Sequence, residues 1–179
     1  MCERKDRFEV ILAGSGGQGL IVSGIMLGEA AILEGKNVVQ TQSYGIASRG
    51  GFSKAEVIID RGEIIFQQVQ NPDMVLALTE EAMEIYRHLP LSGIPVFYDT
   101  TLVEPRDGEK LYGYPFTEMA ADLGHPGTAN MIALGVMSTV TGVVSLESLA
   151  RIVEKRFKGK VAGMNIKALQ KGAGLVAGQ

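Results

Sequence analysis

The chain has 179 residues, enough for one domain with a sizeable core, and its 17 basic and 20 acidic side chains leave a net charge of −3. That balance argues against nucleic acid or an anionic membrane as the main partner. A single cysteine, Cys2, excludes an internal disulfide, a structural zinc site and an iron–sulfur cluster held by this chain alone.

In chain order, Phe8 to Ala13 reads as a strand, and Gly14-Ser15-Gly16-Gly17-Gln18-Gly19 as a tight turn into a helix from Gln18 to about Leu33. Gly24 and Gly28 share one helix face, and the simplest reading is close packing of a neighbouring element. A second strand over Asn37 to Gln42 is expected to complete a right-handed βαβ unit with the first. The polar, glycine-punctuated stretch from Ser43 to Ser53 is longer than a turn requires, and such loops carry function more often than packing. Lys54 to Asp60 alternates, and with the turn Arg61-Gly62-Glu63 and Ile64-Ile65-Phe66 it reads as an antiparallel hairpin, so the sheet is mixed.

Met74 to Leu78 is a buried strand, and Thr79 the N-cap of a helix running to about His88. Ile94 to Tyr98 forms another strand, and Leu111 to Tyr114 a short edge strand. Helices follow over Phe116 to Leu123, about Thr128 to Thr141 and Leu146 to Phe157, then from Val161 through Leu169 into a loose glycine-rich tail. With no repeat or linker, the expected fold is a single α/β domain over residues 1–179, three-layered. Its sheet is mostly parallel but mixed, with helices on both faces and a Rossmann-like start. No apolar run nears the roughly 20 residues of a membrane span, and the mixed-charge start lacks a signal peptide's apolar stretch, so the expected location is cytoplasmic.

The glycine turn satisfies G-x-G-x-x-G in the required strand-to-helix context, but Val39-Gln40-Thr41-Gln42 offers no acid for a ribose. An NAD site is therefore disfavoured, and the missing Lys-Ser/Thr after the glycines rules against a P-loop. His88 and His125 fit helix-end and turn roles, while Asp99 is a site candidate by position with turn capping the simpler account. Arg49, between Ser48 and Gly50-Gly51, is a fixed charge on a loop that can approach a phosphate, a carboxylate or a partner chain.

The glycine turn, followed by Ser43-Tyr44-Gly45 and Ser48-Arg49-Gly50-Gly51-Phe52-Ser53, resembles the gamma subunit of the 2-oxoacid:ferredoxin oxidoreductases. Asn130-Met131-Ile132-Ala133-Leu134-Gly135, Thr141-Gly142 and Asn165-Ile166-Lys167-Ala168 with Gly172 extend the resemblance over essentially the whole chain. It implies a multi-subunit enzyme, inactive as this chain alone, that oxidatively decarboxylates a 2-oxoacid to an acyl-CoA and reduces ferredoxin. Thiamine diphosphate with magnesium and the iron–sulfur clusters would be bound mainly by other subunits. The implied partners are thiamine-binding alpha and beta subunits, a ferredoxin-like delta subunit, ferredoxin and coenzyme A, with a homodimer contact through apolar helix faces.

Carried onto this chain, the resemblance assigns cofactor-facing roles to Gly14, Gly16, Gly17, Gln18, Gly19, Ser43, Tyr44, Gly45, Arg49, Gly50, Gly51 and Asn130. The two glycine loops would sit at the carboxyl ends of neighbouring strands and face one crevice. Ala47 departs from the family's Glu, and Tyr44-Gly45 departs from the His-Gly of indolepyruvate enzymes. The Ser-Tyr-Gly loop resembles 2-oxoglutarate or branched-chain members, with pyruvate next, and 2-oxoglutarate is the expected substrate. The alternatives are a free-standing nucleotide-binding or sensor domain and a purely structural assembly subunit.

Overall fold

The computed structural model describes residues 7–44 and 51–177. Its centre is a six-stranded mixed sheet in the order β2-β3-β1-β4-β5-β6. The strands are β1 (Arg7–Ser15), β2 (Asn37–Tyr44), β3 (Phe52–Asp60), β4 (Met74–Ala77), β5 (Val96–Asp99) and β6 (Leu111–Tyr114). The helices are α1 (Leu20–Leu33), α2 (Glu80–Tyr86), α3 (Phe116–Asp122), α4 (Ala129–Thr141), α5 (Leu146–Arg156) and α6 (Gly159–Ala177).

Alternation along the strands builds two cores. Val10 and Leu12 of β1, with Ala55, Val57 and Ile59 of β3, join buried side chains of α1, α3, α4, α5 and α6. Ile11 and Ala13 turn to the other face, where they meet Val75, Ala77, Val96 and Tyr98 and are covered by Ala82 and Met83 of α2. The fold is thus a single α/β domain with helices on both faces of a mixed sheet.

Two expectations fail in the left half of the sheet. The first and second strands do not make an adjacent βαβ pair: β3 lies between them, antiparallel to both, in registers Ser15↔Phe52 to Arg7↔Asp60 and Tyr44↔Ser53 to Asn37↔Asp60. The hairpin is accordingly β2–β3, and Ile64-Ile65-Phe66 form no strand. The physical reason lies in β3 itself, whose Ala55, Val57, Ile58 and Ile59 are buried on both faces, the signature of an interior strand.

The remaining elements follow local chemistry. Thr79 caps α2 by accepting from the Ala82 amide at 3.2 Å. Gly28 lets Val38 of β2 approach α1, and Gly24 does the same for Gln40 and Val57, so this glycine pair serves packing. The tail is not loose: α6 continues through Gly172 and Gly174, because Gly172 lies against the Ile132 carbonyl of α4 where any side chain would overlap backbone.

The segment before β4 is clipped to β1 by Glu9, which is 5 % exposed. Its carboxylate accepts from the Gln70 and Asn71 amides at 2.8 and 3.0 Å and from Arg7 Nε at 2.7 Å. Burial alone would raise this carboxyl, but the Asn71 and Gln70 amides and the Arg7 guanidinium outweigh it and hold it below 4.5. A depressed carboxyl stabilises the fold above its ordinary titration range and loses that contribution as pH falls through the lowered value. Glu9→Gln is therefore expected to cost about 1–2 kcal/mol at neutral pH and to flatten the fall in stability below pH 4.5. Urea midpoints measured across pH check this.

Candidate functional site

β1 runs apolar to Ala13 and breaks at Gly14, where a Cβ would collide with the Gln18 side chain and come within 3.1 Å of Leu78 Cβ. Gln18 fills that space and uses both ends of its amide. Oε1 accepts from the Ser15 amide at 2.8 Å, and Nε2 donates to the Leu78 carbonyl at 3.0 Å. The turn is thereby locked to the carboxyl end of β4 as well as β1.

Gly17 at φ +97° and Gly19 at φ +75° adopt conformations that side chains rarely tolerate, and they bring the chain round into α1. A Cβ on Gly17 would meet nothing within 4 Å, so open space lies outside the turn; one on Gly19 would press on Asn130. Gly16 donates its amide to the Gly51 carbonyl at 3.2 Å, joining the turn to the start of β3.

α1 begins without a side-chain cap and without an acidic residue in its first turn. α2 and α5 are capped by Thr79 and Ser145 and carry acids there, whereas α4 starts, like α1, with neither. An uncapped first turn leaves amides and the positive end of the helix dipole for something outside the helix.

Asn130, near the start of α4, lies beneath the turn and is 7 % exposed. Its Nδ2 donates to Ser23 Oγ at 3.1 Å and to the Gly19 carbonyl at 3.4 Å, while its Oδ1 is buried without a hydrogen-bond partner. The structure therefore gathers Gly14, Gly16, Gly17, Gln18, Gly19, Gly51 and Asn130 into one assembly. Asn130 and Gln18 spend their bonds shaping the turn.

The sequence reading did not single out Ser23. A serine four residues after Gly19 in an apolar helix is the available signal, and only the approach of α4 gives it meaning. Ser43 and the backbone of Tyr44 end β2 one strand further out, separated from β1 by β3, so the two loops do not sit on neighbouring strands. The strand ends that flank them still lie at the same end of the sheet, through Ser15↔Phe52 and Tyr44↔Ser53. Gly45, Arg49 and Gly50 lie outside the described residues, as does Ala47.

Ser43 instead borders a polar cleft of about 320 Å³ with Thr41, Gln42, Lys54, Glu56, Gln68 and Val69, on the sheet face away from α1. Lys54 Nζ lies 2.6 Å from Glu56 Oε1, and Thr41 Oγ1 donates to Glu56 Oε2 at 3.1 Å, so this cleft satisfies its own charges. Asp99, fully buried, accepts from the Thr101 amide and from both the amide and hydroxyl of Thr117. It acts as a cap joining β5 to α3, which is the structural role expected of it. Among the described residues, no three His, Cys, Asp or Glu side chains converge as a metal site, and no helix is long and apolar enough to cross a membrane.

Comparison with known proteins places this assembly in context. The family model described as pyruvate ferredoxin/flavodoxin oxidoreductase matches residues 9–175. The 2-oxoglutarate synthase subunit KorC of Archaeoglobus fulgidus is 41 % identical over 162 residues, covering 90 % of this chain and 83 % of that protein. The KorC of Methanocaldococcus jannaschii is 37 % identical over 174 residues, 94 % and 93 % of the two chains. A pyruvate synthase subunit PorC of Methanothermobacter marburgensis is 31 % identical over 165 residues, 89 % and 92 %. Among solved structures, the gamma subunit of a keto/oxoacid ferredoxin oxidoreductase from Geobacter sulfurreducens superposes with a TM-score of 0.82 at 36 % identity, over 96 % of this chain and 99 % of that one. A match over nearly the whole length, in sequence and in fold, means that the chain belongs to the pyruvate ferredoxin/flavodoxin oxidoreductase family.

Proposed function

We propose that residues 1–179 form one gamma-type domain, the gamma subunit of a cytoplasmic 2-oxoacid:ferredoxin oxidoreductase that converts 2-oxoglutarate, coenzyme A and oxidised ferredoxin to succinyl-CoA, carbon dioxide and reduced ferredoxin. The choice of 2-oxoglutarate is supported by the higher identity to the KorC relatives than to the pyruvate one. In such a complex thiamine diphosphate supplies the decarboxylation chemistry and iron–sulfur clusters the electron path, both bound by the alpha, beta and delta partners. This chain contributes one wall of the crevice.

The observation that carries this role is the uncapped start of α1 beside the exposed Gly16 and Gly17, where the carboxyl ends of β1 and β4 meet the opening of β3. The Gly17 amide, without Cβ shielding and at the positive end of a helix dipole, fits a phosphate of coenzyme A, while the Gly16 amide is held by the Gly51 carbonyl. Gln18 and Asn130 hold those amides in place from below. Gly51 brings the start of β3 to the same rim.

The test is reconstitution with the partner subunits, following 2-oxoglutarate- and coenzyme-A-dependent reduction of a viologen dye. Gly17→Asp introduces a like charge where the phosphate is placed and Gly17→Asn imposes the same backbone strain without the charge, and the expected result is a KM for coenzyme A about 10-fold or more higher in the aspartate variant than in the asparagine one, with subunit assembly unchanged. An unchanged KM overturns the crevice role, and full turnover without this chain overturns the subunit role.

A further inference from the structure

β2 is an outer strand, and among the described residues no other strand pairs with its free side. It is eight residues long and pairs with β3 in an unbroken register from Asn37↔Asp60 to Tyr44↔Ser53, with no bulge to twist it away. Its sequence, Asn37-Val38-Val39-Gln40-Thr41-Gln42-Ser43-Tyr44, contains no charge and no proline. The charge, proline, bulge and short length that blunt many sheet edges are all missing from this strand.

The opposite edge of the same sheet shows those devices in use. β6 has four residues, includes Gly113, runs directly into Pro115, and is preceded by Lys110 at φ +64°. One molecule therefore contains a protected edge and an unprotected one.

The flank of β2 adds a second observation. Asn37 Nδ2 donates to the Gly62 carbonyl at 2.9 Å at one end of the strand, and Gln68 and Val69 line the cleft with Thr41, Gln42 and Ser43 near the other. The segment between these two points presents Ile65 and Phe66 at 76 % and 65 % exposure. Large apolar side chains beside an open row of backbone donors and acceptors form an association surface.

We propose that β2 pairs antiparallel with β2 of a second copy of this chain, about a two-fold axis, joining the two six-stranded sheets into one continuous sheet. Charge argues for this occupant. In a two-fold strand pair each side chain faces a residue drawn from the same strand, so a charge near the axis meets its own kind; β2 has none. The nearest ions on its cleft face, Lys54 and Glu56, neutralise each other at 2.6 Å and leave no net charge to select a charged partner strand. Val38, Val39 and Thr41 favour extended pairing, and Phe66 of each copy closes the flank. This inference rests on the fold alone and does not depend on the proposed reaction.

The experiment is sedimentation of the full chain across a concentration series, with hydrogen–deuterium exchange of the β2 amides on the same samples. The expected result is a dimer whose β2 amides become more protected as concentration rises. Gln42→Lys is expected to weaken dimerisation about 100-fold by setting like charges near the axis, and Phe66→Ser to weaken it in the same direction. Exchange on the unsubstituted chain decides the matter even where a variant misfolds. A monomer at every concentration, a dimer insensitive to both substitutions, β2 protection independent of concentration, or protection that appears only with other subunits of the complex would each overturn the pairing.

Discussion

Replacing Gly172 with alanine is expected to destabilise the fold by about 3 kcal/mol, at the high end of what overpacking a core seam costs, although alanine is the better helix former. The Cβ would land on the Ile132 carbonyl of α4, and on the facing side Gly135 stands in the same relation to the Leu169 carbonyl of α6. Backbone meets backbone on both sides, so no side chain can rotate away and the helices must separate. That parting would open the layer formed by Ile132, Val136 and Leu169, all buried.

Because the two glycines share one seam, Gly135→Ala and Gly172→Ala are expected to be less than additive. Gly163 and Gly174, also in α6, have nothing within 4 Å of an added Cβ. Alanine there is expected to add about 0.5–1 kcal/mol of stability, the ordinary gain in helix propensity. Urea unfolding of the four variants separates the steric account from a general effect of glycine replacement.

The second large effect is expected at Gln18. Gln18→Leu removes the acceptor for the Ser15 amide and the donor to the Leu78 carbonyl together. Leaving both without a partner is expected to cost about 2–4 kcal/mol. Its more informative consequence is functional: without the amide strut, Gly16 and Gly17 lose their fixed position relative to β4. In the reconstituted complex the KM for coenzyme A is expected to rise by about 10-fold.

Gln18→Glu provides the contrast. It keeps an acceptor for Ser15 but sets a second oxygen against Leu78, so its stability loss is expected to shrink as acid protonates the new carboxyl and restores a donor. A loss independent of pH would show that shape, not the hydrogen bond to Leu78, holds the turn.

Much of the fold was legible locally. The break from Ala13 into glycines and the apolar segment after them specified strand, turn and α1, since glycine is the residue that turns through positive φ without strain. Thr79 before two acids marked the start of α2 by its capping chemistry. The expectation that Gly24 and Gly28 serve packing also followed from spacing alone, and Val38, Gln40 and Val57 are what they admit.

What the residues could not reveal by themselves were partners distant in the chain. The alternation from Lys54 to Asp60 identified a strand, but its burial on both faces, and hence its place between β1 and β2, depends on elements that close over it from elsewhere. The glycine-rich end read as loose because glycine is a poor helix former in isolation; only the approach of α4 makes a missing Cβ favourable at Gly172.

The candidate site divides in the same way. The sequence by itself determined a glycine turn at a strand–helix junction, with no ribose acid on the second strand, and thereby set aside a dinucleotide cradle. The tertiary structure decided that Gln18 ties that turn to Leu78, just past the end of β4, and that Asn130 and Ser23 support it from α4 and α1. It also decided that Gly51, at the start of the antiparallel strand beside β1, meets the turn directly. Capping and turn conformation act within a few residues and are written locally, whereas strand order and hydrogen bonds across 60 or 107 residues exist only once the chain has closed.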